Sequence, residues 1–204
     1  MSQGDVKAVR AGSLILFIVL WGCAGTAIAQ ETARTPSTQY ASFSRGGMEF
    51  EYPGEWQEHP RERLDLMKKN VQEQLNPFGI TILEFSMIVA PRGTACFMIT
   101  RSTRRDTVSV QDLLKERQGV YRDAEAGGDV TRVHQLEITT VDNKPGLIED
   151  VERSNGGRGR TVKVIEGQNI FELSLIVNDA RDFLTYQPAF EHLIDTLIIK
   201  ESGA

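Results

Sequence analysis

Two stretches of this chain are apolar on nearly every residue: ITILEFSMIVA over residues 80–90 and TACFMITR over residues 94–101. Pro91-Arg92-Gly93 separates them, a spacing that reads as a hairpin turn. A strand that meets water on one side alternates apolar and polar residues, whereas a strand without alternation is covered on both faces. The pair therefore belongs at the centre of a sheet, with other elements above and below it. A layered fold is required, and an open, half-solvated sheet is excluded.

The rest of the chain supplies candidate layers. Residues 60–75 predict a helix with Leu64, Met67, Val71 and Leu75 on one face, ended by Asn76-Pro77-Phe78-Gly79. Ser109-Val110-Gln111-Asp112 has the S-x-x-D form of a helix start. It opens a helix to about Ala124 with Leu113, Leu114, Val120 and Tyr121 as apolar contacts. Phe183, Tyr186, Phe190, Leu193, Ile194 and Leu197 recur at helical spacing, with Pro188 marking a kink or a new first turn. Strands are expected at 130–141, 145–153, 159–166 and 169–177. Earlier, residues 47–52 of GGMEFEYPGEWQEH (46–59) alternate with period two. Pro53-Gly54 then turns the chain, which would lay Trp56 back on Phe50 or Tyr52. This order predicts an α+β fold around one antiparallel sheet.

The first residues read as a targeting segment. Lys7 and Arg10 precede the uncharged run Leu14–Leu20, and small residues lead to Ala27-Ile28-Ala29. That is the order of a secretory signal peptide over 1–29, cleaved at an A-x-A site after Ala29; a retained membrane helix is the alternative. Leu20-Trp21-Gly22-Cys23 also resembles a bacterial lipobox, in which an acylated Cys23 would hold the domain at a membrane. Trp21 is bulky for that pattern, so the expectation is a soluble periplasmic or secreted product, with membrane attachment only if Cys23 is acylated. Residues 30–45 are polar and are expected to be a flexible linker to a domain over 46–200. The formal net charge is −5, and losing the net-positive signal makes the remainder more acidic. General nucleic-acid binding, which needs a basic surface, is excluded. Cleavage leaves Cys96 as the sole cysteine, so no internal disulfide is expected.

MEFEYPGEW, residues 48–56, resembles the Y-P-x-x-W opening of the PsbP-like and DcrB-like proteins. GQNIFELSLIVNDARDFLTYQPAFEHLIDTLII, residues 167–199, is similar to their closing segment. The resemblance spans about residues 47–199 and implies an α/β/α sandwich around an antiparallel sheet, the Mog-type fold. Its members include extrinsic photosystem II subunits, thylakoid-lumen assembly factors, Ran-binding Mog-type proteins and bacterial envelope lipoproteins. Most are non-enzymatic binders or assembly aids. The fold alone does not transfer any one of these roles.

No residue pattern specifies a reaction. His59, His134 and His192 lie on different elements without metal-ligand spacing, although Glu58 and Glu62 flank His59; no metal or cofactor is expected. Cys96 sits in an apolar strand and reads as a core thiol. SNGGRGR, residues 154–160, has glycines and arginines that could cradle a phosphate. It lacks a P-loop context and is expected to be an exposed hairpin tip with a replaceable Arg158 and Arg160. Glu149-Asp150 are adjacent in a strand, so they point to opposite faces and form no catalytic dyad. Arg101, Arg104 and Arg105 are a candidate docking patch for an acidic partner. The expected function is that of an exported non-enzymatic binding or assembly accessory protein of the cell envelope, with an unidentified protein partner. The alternatives are an envelope enzyme such as a hydrolase, or a small-ligand or metal carrier, with a site assembled from distant residues. A closed pocket holding convergent ionisable groups would favour the enzyme, and an exposed apolar patch with no deep cleft would favour the binder.

Overall fold

The computed structural model describes residues 39–200. The expected signal segment with Ala27 and Ala29, the expected lipobox cysteine Cys23 and the part of the expected linker through residue 38 lie outside the described residues.

The chain runs β1 (Tyr40–Arg45), β2 (Met48–Pro53), β3 (Gln57–Glu58), α1 (Arg61–Leu75), β4 (Ile80–Val89) and β5 (Ala95–Arg104). It continues with α2 (Val110–Ala126), β6 (Val130–Val141), β7 (Lys144–Arg153), β8 (Arg158–Glu166), β9 (Asn169–Val177), α3 (Phe183–Asp195) and β10 (Ile198–Ile199). Seven strands make the main antiparallel sheet, in the order β3-β4-β5-β9-β8-β7-β6. The two apolar runs are β4 and β5, and Phe97, Met98 and Ile99 are fully buried. On one face Phe97, Ile99, Leu173 and Val164 pack with Phe183, Phe190 and Leu193 of α3. On the other, Cys96, Met98 and Ile176 pack under Leu64, Val71 and Leu75 of α1. Further across that face, α2 covers Leu147, Val151 and Ile165 of β7 and β8. The continuous hydrophobicity of the central strands thus has the expected cause: both faces are occupied.

β2 does not join the main sheet. It is the middle of a second, three-stranded sheet, β1-β2-β10, which shares the α3 face. The expected linker is corrected here, because residues 40–45 pair along β2 from Tyr40↔Pro53 to Arg45↔Met48. Phe43 is 1% exposed and stacks on Phe50 with ring centroids 4.6 Å apart. Serines at positions 42 and 44 made this stretch look like a tether, but they lie on the solvent side of a period-two strand. Gly46 and Gly47 have φ of 60° and 80°, the left-handed pair that closes a two-residue hairpin.

Trp56 is 5% exposed, in the same core as Phe50 and Tyr52. Its ring, however, stacks on Phe97 at 4.3 Å and meets Tyr186 edge-on at 5.7 Å. The cause is β3, which pairs Gln57 with Val89 and Glu58 with Ile88 and so carries Trp56 over the main sheet rather than back onto β2. Pro188 lies inside α3 rather than at its start.

Candidate functional site

Between the apolar footprints of α1 and α2, the main sheet carries buried polar side chains. Register places Thr100, Glu172 and Lys163 in one row across β5, β9 and β8. Ser174, Thr161 and Glu149 form the next row across β9, β8 and β7. All six are buried, Glu149 and Ser174 completely. Thr161 and Ser174 share a hydroxyl hydrogen bond of 2.8 Å, and the Lys163 ammonium is ion-paired with Glu172.

α2 lays a third layer of charge over these rows. Arg117 donates from Nε to Glu149 Oε1 at 2.8 Å and from Nη2 to Oε2 at 3.1 Å. Tyr121, one helical turn on, donates its hydroxyl to Glu149 Oε2 at 2.7 Å and accepts from Arg117 Nη2 at 2.8 Å. At the end of β5, Arg104 grips both oxygens of Glu116 at 3.0 and 3.2 Å. Burial by itself would lower the Arg117 pKa and raise that of Glu149. Burial is the largest single influence on each, but the neighbouring charges and the hydrogen bonds together outweigh it, so Arg117 is held above and Glu149 below its ordinary value. Burial, then the Glu149 charge, pushes the Tyr121 phenol up, keeping it a neutral donor. Arg104, Glu116, Arg117, Lys163 and Glu172 line a cleft of about 20 Å³. That is room for one water molecule, far below a substrate pocket.

Sequence reasoning did not find this network. Tyr121 was expected only as an apolar contact and Arg117 not at all. The available signals were an arginine four residues before a core tyrosine on the apolar stripe of α2, and an acidic pair inside an apolar strand.

That acidic pair splits as expected. Asp150, also fully buried, faces the α3 side, where Arg158 reaches it at 2.7 and 2.9 Å and Arg160 Nε at 3.1 Å. The Arg158 guanidinium lies 3.9 Å from the centre of the Phe183 ring. The expectation that Arg158 and Arg160 belong to a replaceable tip is therefore corrected: both are on β8 and hold a buried carboxylate. The tip proper spends two backbone donors internally, Gly156 N on Arg153 O at 3.0 Å and Gly157 N on Asn155 Oδ1 at 3.1 Å.

The arginines expected to act together do not converge. Arg101 bonds Asn169 Oδ1 and the Gly46 carbonyl, and lies over Phe171, on the α3 face of β5. Arg104 serves Glu116 on the other face, and Arg105 is exposed beyond the strand end. The histidines also stay apart: His134 meets Glu152 and His192 meets Glu51, each at 3.1 Å. Among the described residues no group of three or more His, Cys, Asp or Glu side chains could hold a metal ion. Cys96 is 1% exposed in the α1-side core. No helix among the described residues is long and apolar enough to cross a membrane.

No protein-family model and no curated protein matches the chain. Among solved structures, cyanobacterial PsbP (CyanoP) from Synechocystis superimposes with a TM-score of 0.52 at 12% identity, covering 86% of this chain and 99% of its own. The fold is PsbP-like. A Pseudomonas aeruginosa protein of unknown function aligns at TM-score 0.47 and 15% identity over 81% of this chain and 100% of that one. A Bacteroides thetaiotaomicron protein aligns at 0.43 and 14% over 78% of this chain and 47% of its own. The PsbP-like assignment rests on the Synechocystis structure and extends to the fold alone.

Proposed function

We propose that this PsbP-like chain is an exported, non-enzymatic binding or assembly accessory protein of the cell envelope that works through a protein partner. One observation carries the reading. The cleft that gathers the ionisable side chains holds about 20 Å³, and each of its cations is spent on a carboxylate. Catalysis needs space for a substrate and an acid or base free to exchange a proton. Charges committed in this way hold elements together instead. The resemblance to a group made up mostly of binders and assembly aids supports the same reading. Export is supported by Lys7, Arg10, the Leu14–Leu20 run and the Ala27-Ile28-Ala29 site.

The test expresses the whole chain in a bacterial host with a photo-crosslinking residue in place of Arg105, the exposed member of the expected docking patch. The expected result is one discrete adduct with an envelope protein in the exported fraction. Turnover of ester, phosphate or glycoside substrates that disappears in Lys163→Met would overturn the proposal in favour of an enzyme.

A further inference from the structure

Three ion pairs meet around the cleft: Arg104–Glu116 joins β5 to α2, Arg117–Glu149 joins α2 to β7, and Lys163–Glu172 joins β8 to β9. Each pair leaves one buried polar atom without a hydrogen-bond partner, namely Arg104 Nε, Arg117 Nη1 and Glu172 Oε1. All three residues line the same cleft. The Arg117 and Glu172 side chains are only 2% and 7% exposed, so bulk solvent does not satisfy them. Native interiors leave few such groups unpaired, and three on residues that line one small space call for a shared partner.

We infer that the cleft is a binding site for a single internal water molecule, which accepts from Arg104 Nε and Arg117 Nη1 and donates to Glu172 Oε1. The volume of about 20 Å³ admits one water and excludes larger ligands. Charge excludes an ion, because three cations are matched by three carboxylates around the space. An anion would face the Glu172 oxygen, and a cation would face two guanidinium N–H groups. The inventory of two donors and one acceptor needs a neutral molecule that both accepts and donates. Ser102 also lines the cleft and brings a hydroxyl oxygen that can accept the second proton of the water. The bound water links β5, α2 and β9, so the three separate ion pairs become one connected network.

The test is a crystal structure of the protein purified from expression of the whole chain, at a resolution that shows ordered waters, with parallel bromide and rubidium soaks. The expected result is one peak, without anomalous signal, within hydrogen-bond distance of all three atoms. An anomalous peak there, or side chains turned to pair directly with nothing between them, would overturn the inference. In solution, Arg104→Lys keeps the charge opposite Glu116 but removes Nε. Its water-oxygen relaxation dispersion should show a smaller long-lived component than the parent. An unchanged amplitude in a variant that is folded by circular dichroism would sink the proposal.

Discussion

Glu149 keeps its charge in a place with no exposure at all because Arg117 takes both of its oxygens and Tyr121 adds a third bond. Removing one member leaves the other charge buried and unpaired, which costs far more than the intact pair contributes. Glu149→Gln is therefore expected to destabilise the fold by about 3–5 kcal/mol in chemical denaturation. The joint replacement Arg117→Met, Tyr121→Phe, Glu149→Leu, which removes the hydroxyl that bonds both charges as well, should stay near the parent. The pH dependence follows from the direction of the shift. The folded pKa of Glu149 lies below its ordinary 4.5, so the stabilisation is fully present above that value and is lost as pH falls through the folded pKa. Glu149→Gln should flatten the acid limb of a stability-versus-pH curve; an acid limb parallel to that of the parent would assign the loss to other carboxylates. Asp150, on the opposite face, is likewise buried and held by two arginines. Arg158→Ser with Arg160→Ser should cost about 3–5 kcal/mol by stranding it. Normal melting of that variant would restore the reading of these arginines as part of a replaceable tip. The sequence marked Arg117 and Glu149 as charges within apolar patterns but not as partners, because the bonded residues are 32 and 28 positions apart and pairing at that separation leaves no periodic signal.

Elements were legible wherever the information was local. α1, α2, the β4–β5 hairpin and the meander from β6 to β9 follow from periodicity and turn residues, and Ser109 caps α2 by accepting from Asp112 N at 3.1 Å. How one element protects another was not legible. β3 covers β4 only at Ile88 and Val89, which leaves an open edge of the kind that recruits other strands. Gln72 of α1 closes part of it, with its carboxamide donating to Ile80 O at 2.9 Å and accepting from Ile82 N at 2.7 Å. Lys68 adds a bond to Leu83 O at 2.8 Å. A side-chain amide thus stands in for the missing neighbour strand. Gln72→Ala removes the two edge hydrogen bonds, about 0.5–1.5 kcal/mol each, along with an exposed one to Asn76 Oδ1, so a loss of about 1–3 kcal/mol is expected from the edge bonds. Hydrogen exchange should show the Ile82 amide losing protection while the Phe97 amide keeps it; equal protection at Ile82 would mean that the edge is closed some other way. Trp56 binds elements through packing instead, stacked between β5 and α3. Trp56→Ala should cost about 3–5 kcal/mol, and an unchanged melting temperature would make it a surface residue.

At the scale of the molecule, the two ends of the described chain meet on β2. β1 pairs along one edge, and β10 pairs Ile198 with Glu49 and Ile199 with Met48 on the other. Lys200 N donates to Gly47 O at 2.9 Å, and Ile199 N to Asp142 Oδ2 at 2.8 Å. This small sheet roofs the α3-side core, so the folded unit includes residues that composition alone assigns to a linker. A polar hexamer such as YASFSR becomes a strand only because β2 offers a partner and the core offers a place for Phe43, which is non-local information. The fold therefore predicts where the domain begins. A chain started at Gln39 retains the six β1–β2 pairs, whereas one started at Gly46 loses them together with the buried Phe43. Loss of that aromatic alone is worth about 3–5 kcal/mol. The β1 deletion also bares one edge of β2 and the Phe50 ring, so lower solubility should accompany the lower melting temperature. Phe43→Ala in the longer chain separates the two effects, because it keeps the backbone pairing and removes only the ring. Calorimetry should place that variant between the two truncations. If the chain started at Gly46 melts with the one started at Gln39, β1 contributes nothing to the fold and the domain begins after it.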